Sequence, residues 1–337
     1  MSGFTPLSHN LVMPGRDPTI DSVRAVAVVG VIAGHWLVTA LVSGPAGLTV
    51  DSPLRHMPDL APLSWVLQTL GLFFFAGGFA AARSKTGLWH KLTRLAVPVA
   101  VLLAAWALII VVSGMPGETS KTVIHLVTSP LWFLGVYVVL QALTPAMSWL
   151  DGKLRAWALT IPVVLTVVGE LTVNEITVIT VWWAPWQAGI LAARAGLRWG
   201  LPLLLGGALA YFLLVRYAGY PVSAVGGTGE ARSNLAPPSP AALALAAAQV
   251  GAASLTVRRA NSRLTRWIND RALMLFLVHQ SALLIVVLTA QAFGVVPGLH
   301  TSPDDPMWPL LRLAWLPVFT ATLFVLCTVP FGRTRNH

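Results

Sequence analysis

The sequence predicts an all-α fold: a polytopic transmembrane helix bundle of about ten helices with both termini cytoplasmic. Three observations predict it. Only 10% of the 337 residues are charged and 56% are hydrophobic, with a mean hydropathy of +0.73, whereas a soluble domain carries about 25% charged residues. Apolar runs close to the roughly 20 residues that cross a bilayer recur along the whole chain. The basic residues between those runs alternate in density from loop to loop, as the positive-inside rule requires.

In chain order the runs cover residues 23–44, 63–82, 95–113, 126–143, 156–171, 176–193, 200–215, 241–257, 272–293 and 308–329. With the N-terminus inside, only Arg55, Lys121, Arg216, Arg232 and Arg312 of the 22 Lys and Arg fall outside. Asp51, Asp59, Glu118, Glu170, Glu175, Glu230, Asp304 and Asp305 also fall outside, so the acids lean the other way. Residues 1–20 lack a signal-peptide core and read as a cytoplasmic segment that leaves the first run as an uncleaved helix. The transmembrane domain is expected over 21–330 and a cytoplasmic tail over 331–337. Within the domain, 217–240 is Gly-, Ser- and Pro-rich and reads as a flexible outer loop, while 258–271 reads as a basic cytoplasmic loop. Trp182, Trp183 and Trp186 are expected in an aromatic belt at the outer membrane boundary.

The composition also fixes partners. A net charge of +10 would suggest nucleic acid in a soluble protein. Here the cations sit in short loops, so the expected partners are membrane lipids and not nucleic acid, and the expected place is the cell membrane. Cys327 is the single cysteine, which excludes a disulfide framework and cysteine-based zinc sites. No nucleophilic serine motif and no metal-ligand triad stands out. The oligomeric state is not encoded in any pattern found.

Ionisable groups inside membrane spans are costly and mark function by default. Two are deep in the predicted spans, His35 and His279. Arg24 sits at the cytoplasmic start of the first helix, with Asp21 three residues before it in position to orient the guanidinium. The eleven residues from Arg24 to His35 make close to three helical turns, so both side chains share one face roughly 16 Å apart along the axis. A long anionic cosubstrate fits such a stripe, with its phosphates at Arg24 and its reactive end toward a His35 near mid-bilayer.

The segment TIDSVRAVAV (19–28) followed by Gly34, His35 and Trp36 resembles the opening helix of the acyltransferase-3 family of membrane acyltransferases, whose R-x(10)-H pattern Arg24 and His35 match. LFFFAGGF (72–79) is similar to the family's second helix. KLTRLAVP (91–98) resembles its R-x-x-R-L-x-x-P entry to the third helix, with Lys91 in place of the first arginine. LWFL (131–134) and LVHQ (277–280) resemble two further stretches, although the glutamate that commonly follows the first is replaced here by a run ending in Gln141. The resemblance implies transfer of an acyl group, acetyl as the commonest case, from acyl-CoA to a hydroxyl of a saccharide, lipid or secondary metabolite. Acyl-CoA is then a cosubstrate, with no tightly bound cofactor. It further implies His35 as general base, Arg24 as anchor for CoA phosphate, and Arg83, Lys91 and Arg94 as added phosphate contacts. His279 would polarise the thioester carbonyl or bind the acceptor. Ten helices with two membrane histidines also suit a transporter or flippase of a small polar or lipid-linked molecule, or a non-enzymatic membrane scaffold. Thioester consumption separates these readings from the enzyme.

Overall fold

A computed structural model describes residues 17–172, 174–196, 199–230, 232–257 and 262–328. Residues 1–16, the loop cations Arg198, Arg258 and Arg259, and the 331–337 tail lie outside the described residues.

The elements in order are α1 (Pro18–Val38), the hairpin β1 (Ala40–Gly44) and β2 (Gly47–Asp51), the one-turn helices α2 (Pro53–His56) and α3 (Ser64–Leu67), α4 (Leu70–Arg83), α5 (Leu88–Ser113), α6 (Gly117–Thr128) and α7 (Leu131–Leu154). They continue with α8 (Thr160–Leu171), α9 (Thr177–Ala195), α10 (Gly200–Tyr217), α11 (Pro240–Thr256), α12 (Arg263–Asp270), α13 (Ala272–Ala290) and α14 (Trp308–Thr328). Every predicted apolar run holds a helix. Seven helical stretches are long and apolar enough to cross a membrane: Pro18–Val38, Pro58–Arg83, Leu88–Ser113, Gly117–Leu171, Gly200–Tyr217, Ala272–Phe293 and Trp308–Thr328. Helix α11 is shorter, and α9 carries three tryptophans, Pro185 and Gln187 that dilute its aliphatic content. Both are largely buried against neighbouring helices, so protein takes the place of lipid around them.

The first predicted run needs correction. Helix α1 starts earlier, where Asp17 caps it by accepting from the backbone N–H of Thr19 at 2.8 Å and Pro18 supplies a preset first turn. It ends at Val38, because Ala40–Gly44 turns back through Gly47 (φ +123°) as an antiparallel hairpin in the register Ala40↔Asp51. Gly at that φ avoids a Cβ clash, and the β-branched Val42, Thr49 and Val50 suit extended strands. The hairpin is tied to α6 by Leu48 N–H donating to Thr119 Oγ1 (3.0 Å) and by Thr122 Oγ1 donating to Leu48 O (2.8 Å). The run at 63–82 is likewise broken at Gln68 and Thr69, and Thr69 Oγ1 donates to Ala27 O at 2.7 Å, pinning the break to α1. The run at 126–143 splits at Ser129 and Pro130 between α6 and α7.

Helices α4, α9 and α13 form the interior, and α5 lies at the rim with only Leu102 and Trp106 buried. The exposed Val97, Leu108, Val111 and Val112 of α5 form the apolar surface expected against lipid tails. Helix α4 crosses α9 backbone to backbone. A Cβ on Gly78 would lie 2.1 Å from Trp186 O, and one on Gly189 would lie 2.1 Å from Phe75 O. Small residues let membrane helices meet backbone to backbone. The adjacent tryptophans are therefore interior: Trp182 and Trp186 are fully buried, Trp182 stacks on Phe74 (5.1 Å), and Trp186 Nε1 donates to Thr144 Oγ1 (3.1 Å). The aromatic-belt expectation is corrected for these two, because the glycine crossing draws their helix into the core.

The 217–240 segment carries its own hydrogen-bond network. Asn234, fully buried, donates to Pro221 O (2.9 Å) and Ser223 O (2.8 Å), and Trp65 Nε1 donates to Val222 O (2.6 Å). Arg232 pairs with Glu170, which also accepts from Tyr220 Oη at 2.9 Å.

Gly78→Ala is expected to cost about 1–3 kcal/mol through overpacking, read as a fall in thermal stability of the purified protein. Gly135→Ala, whose Cβ meets nothing within 4 Å, is expected to be neutral or slightly stabilising in the same measurement.

Candidate functional site

Two side-chain contacts set α1 against the segment from α12 to α13. At the N-terminal end of α1, Arg24 Nε donates to Asn269 Oδ1 at 2.6 Å. Asn269 Nδ2 donates back to Asp21 O (2.8 Å) and across to Thr265 O (2.9 Å), and Asp21 Oδ1 lies 3.7 Å from the Arg24 guanidinium. Eleven residues further along α1, the His35 ring meets His279 edge-on with centroids 4.9 Å apart. The partners 269 and 279 ascend with 24 and 35, so the two segments run parallel. Arg24 and His35 thus point to one neighbour, as their helical spacing predicts. Their depth differs from expectation: with α1 ending at Val38, His35 occupies its last turn and not its middle.

The geometry fixes the ring protons. Nδ1 of His35 lies 2.9 Å from Val31 O, and Nδ1 of His279 lies 2.6 Å from Phe276 O. A carbonyl only accepts, so each neutral ring carries its hydrogen on Nδ1 and keeps a lone pair on Nε2. Nε2 of His279 is buried without a hydrogen-bond partner. The α13 backbone is held in turn by Trp36 Nε1, which donates to His279 O at 3.0 Å. Each ring thus keeps Nε2 as its lone-pair nitrogen, that of His279 in a fully buried setting.

Toward the N-terminal end of α1 from this pair lies a cavity of about 400 Å³, within the range of small-molecule sites. Arg24, Lys91 and Arg94 line it together, with Asn269, Gln141 and Tyr137, and its inner wall is formed by Phe73, Phe133 and Phe276. Three cations from α1 and α5 so share one polar mouth, suited to a polyanion. Neither histidine lines the cavity; His279 stands behind Phe276, with ring centroids 5.9 Å apart. Arg83 is not brought in. Its guanidinium rests over the Phe79 ring at 5.3 Å, and it does not line the cavity.

Arg312 is a residue that sequence reasoning misplaced. Counted as an outer loop cation, it is fully buried in α14. It donates to Trp36 O (2.8 Å), Gly298 O (3.0 Å) and Thr39 O, and sits between the rings of Trp308 (5.3 Å) and Phe319 (5.0 Å). Two of those carbonyls belong to the C-terminal end of α1, where a cation meets both the orphan acceptors and the negative end of the helix dipole. Arg312 therefore fixes the turn that carries His35. His300 was also missed: buried, it accepts from Val296 N–H (3.0 Å) and donates to Val287 O (2.9 Å), which fully explains it as a loop anchor. An arginine near a predicted span end was the available signal for the first.

A family model described as an acyltransferase domain matches residues 17–332, nearly the whole chain. No curated protein and no solved structure matches it.

Arg312→Lys keeps the charge but loses the guanidinium fork. It is expected to destabilise the protein by about 2–4 kcal/mol, since charge-assisted hydrogen bonds are worth about 1.5–3 kcal/mol each. Thermal unfolding in detergent, compared with Arg312→Met, measures it.

Proposed function

The chain belongs to the acyltransferase-3 family and is a membrane acyltransferase, and on that basis we propose that it moves an acyl group from acyl-CoA to a hydroxyl of a saccharide, lipid or secondary metabolite, with His35 as general base. The observation that carries this reading is the pairing of two imidazoles, each with Nδ1 committed to a carbonyl and Nε2 left basic.

A hydroxyl is a poor nucleophile until its proton leaves, and a neutral imidazole accepts that proton near pH 7. His35 Nε2 takes the proton as the hydroxyl oxygen bonds to the thioester carbonyl carbon. The carbon–sulfur bond then breaks, and the protonated imidazole returns the proton to the departing thiolate. The neighbouring His279, whose Nε2 also offers a lone pair, accepts from a hydroxyl of the acceptor and so aligns it. Arg24, Lys91 and Arg94 suit the phosphates of the donor, and the roughly 16 Å from Arg24 to His35 along α1 provides its register. Asp21 and Asn269 orient the Arg24 guanidinium toward the cavity. The three cations lie on the side where the basic loops lie, so the donor enters from the cytoplasm, and the enzyme resides in the cell membrane.

His35→Gln in proteoliposomes, supplied with acetyl-CoA and a polar cell extract as acceptor pool, is expected to lower acyl transfer by about 10²–10⁴-fold. Free thiol release and product mass report the change. Undiminished transfer removes His35 as the base, and wild-type transport of extract solutes with no thiol release would favour a transporter instead. Arg24→Ala is expected to raise KM for acetyl-CoA by roughly 10–100-fold, the loss of one charge-assisted contact, with a smaller change in kcat.

A further inference from the structure

Between the cationic cavity and the histidine pair stands a layer of three phenylalanine rings, one each from α4, α7 and α13. Phe73 and Phe133 have centroids 4.9 Å apart, Phe133 and Phe276 4.7 Å, and Phe73 and Phe276 6.1 Å. All three separations are those of rings in contact, so the triangle is closed. Phe74 backs Phe133 at 4.7 Å, and Tyr137 backs Phe73 at 6.0 Å. One face of the layer lines the cavity that holds Arg24, Lys91 and Arg94. Behind the other face, Phe276 touches His279. Phe133 and Phe276 are 2% and 3% exposed, so nearly all of each ring's surface lies against other side chains.

Resting on the acyl-CoA reading above, the geometry points to this phenylalanine layer as the filter for acyl length: it passes an acetyl group to the histidines and rejects long chains. A group that leaves the cavity for His279 displaces a ring. An acetyl group asks one ring to turn, whereas a chain of several methylenes holds two or more rings displaced at once inside a close-packed interior. Pockets of this kind separate substrates differing by one methylene by about 10–200-fold. The layer is also the part of the cavity with the least polar character, away from the cations that bind the donor's phosphates. Selection on the acyl group is thereby kept apart from affinity for the rest of the donor.

The test measures kcat/KM for acetyl-CoA and octanoyl-CoA in proteoliposomes of the full chain, with the same acceptor pool and thiol readout. In the wild type the acetyl preference is expected to be at least about a hundredfold. Phe276→Leu and Phe133→Leu are each expected to narrow it by about tenfold or more, while Phe293→Leu, on a residue 87% exposed and outside the layer, leaves it unchanged. The ratio is taken within one preparation, so partial loss of folded protein does not alter it. A wild-type ratio near unity overturns the filter, as does an unchanged ratio in layer variants that still use acetyl-CoA. Failure of the wild type to release thiol from either thioester removes the CoA-dependent reading itself, and the filter with it.

Discussion

The parallel clamp between α1 and the segment from α12 to α13 positions everything else in the site. It has two contacts of different kinds, Arg24 with Asn269 near the N-terminal end of α1 and His35 with His279 near the other. Either contact alone would leave the helices free to slide or rotate. Two, separated by about three turns on α1, fix register and rotation together. Because α13 is buried along most of its length, it is the rigid partner, and α1 is the helix being aligned. The consequence is that the Arg24 guanidinium and the His35 imidazole keep a constant spacing, as the donor of fixed length proposed above requires.

The clamp survives in an apolar interior because its polar atoms are nearly all partnered. A polar group left without a partner in a dry interior costs several kcal/mol, so membrane bundles use backbone carbonyls as acceptors. Val31, Phe276 and His279 each offer a carbonyl to a ring nitrogen of the cluster. Arg312 follows the same logic on a larger scale, with its charge met by carbonyls and two aromatic faces. The exception is Nε2 of His279, buried with no hydrogen-bond partner among the described residues.

Around that clamp the site is layered along the α1 axis. Cations line the entrance, three phenylalanines close the middle, and the imidazoles lie beyond. The order follows from helix packing: the glycines at 78 and 189 bring α4 and α9 into backbone contact, and this sets Phe73 and Phe74 against α7 and α13. At the outer end, the hairpin and α6 are bonded to each other, and Ser43 N–H donates to His300 O at 2.9 Å.

Composition and spacing alone determined much of this protein. Too few charges for a wet surface made it a membrane bundle, the spacing of Arg24 and His35 put them on one stripe, and the ordered motifs from Thr19 to Gln280 pointed to acyl transfer. Helical periodicity is a local property, so it is legible residue by residue. What the chain alone did not reveal is which helix each stripe meets. Asn269 as the partner of Arg24, His279 as the partner of His35 and Arg312 as the clasp on the end of α1 lie more than 240 residues away in sequence. Hydropathy misjudged Trp182, Trp186 and Arg312, because it scores a side chain against water and lipid, whereas these three are solvated by other helices. The end of α1 at Val38 escaped for a related reason: apolar residues satisfy a strand as well as a span, and only the docking of Leu48 on Thr119 and Thr122 selected the hairpin.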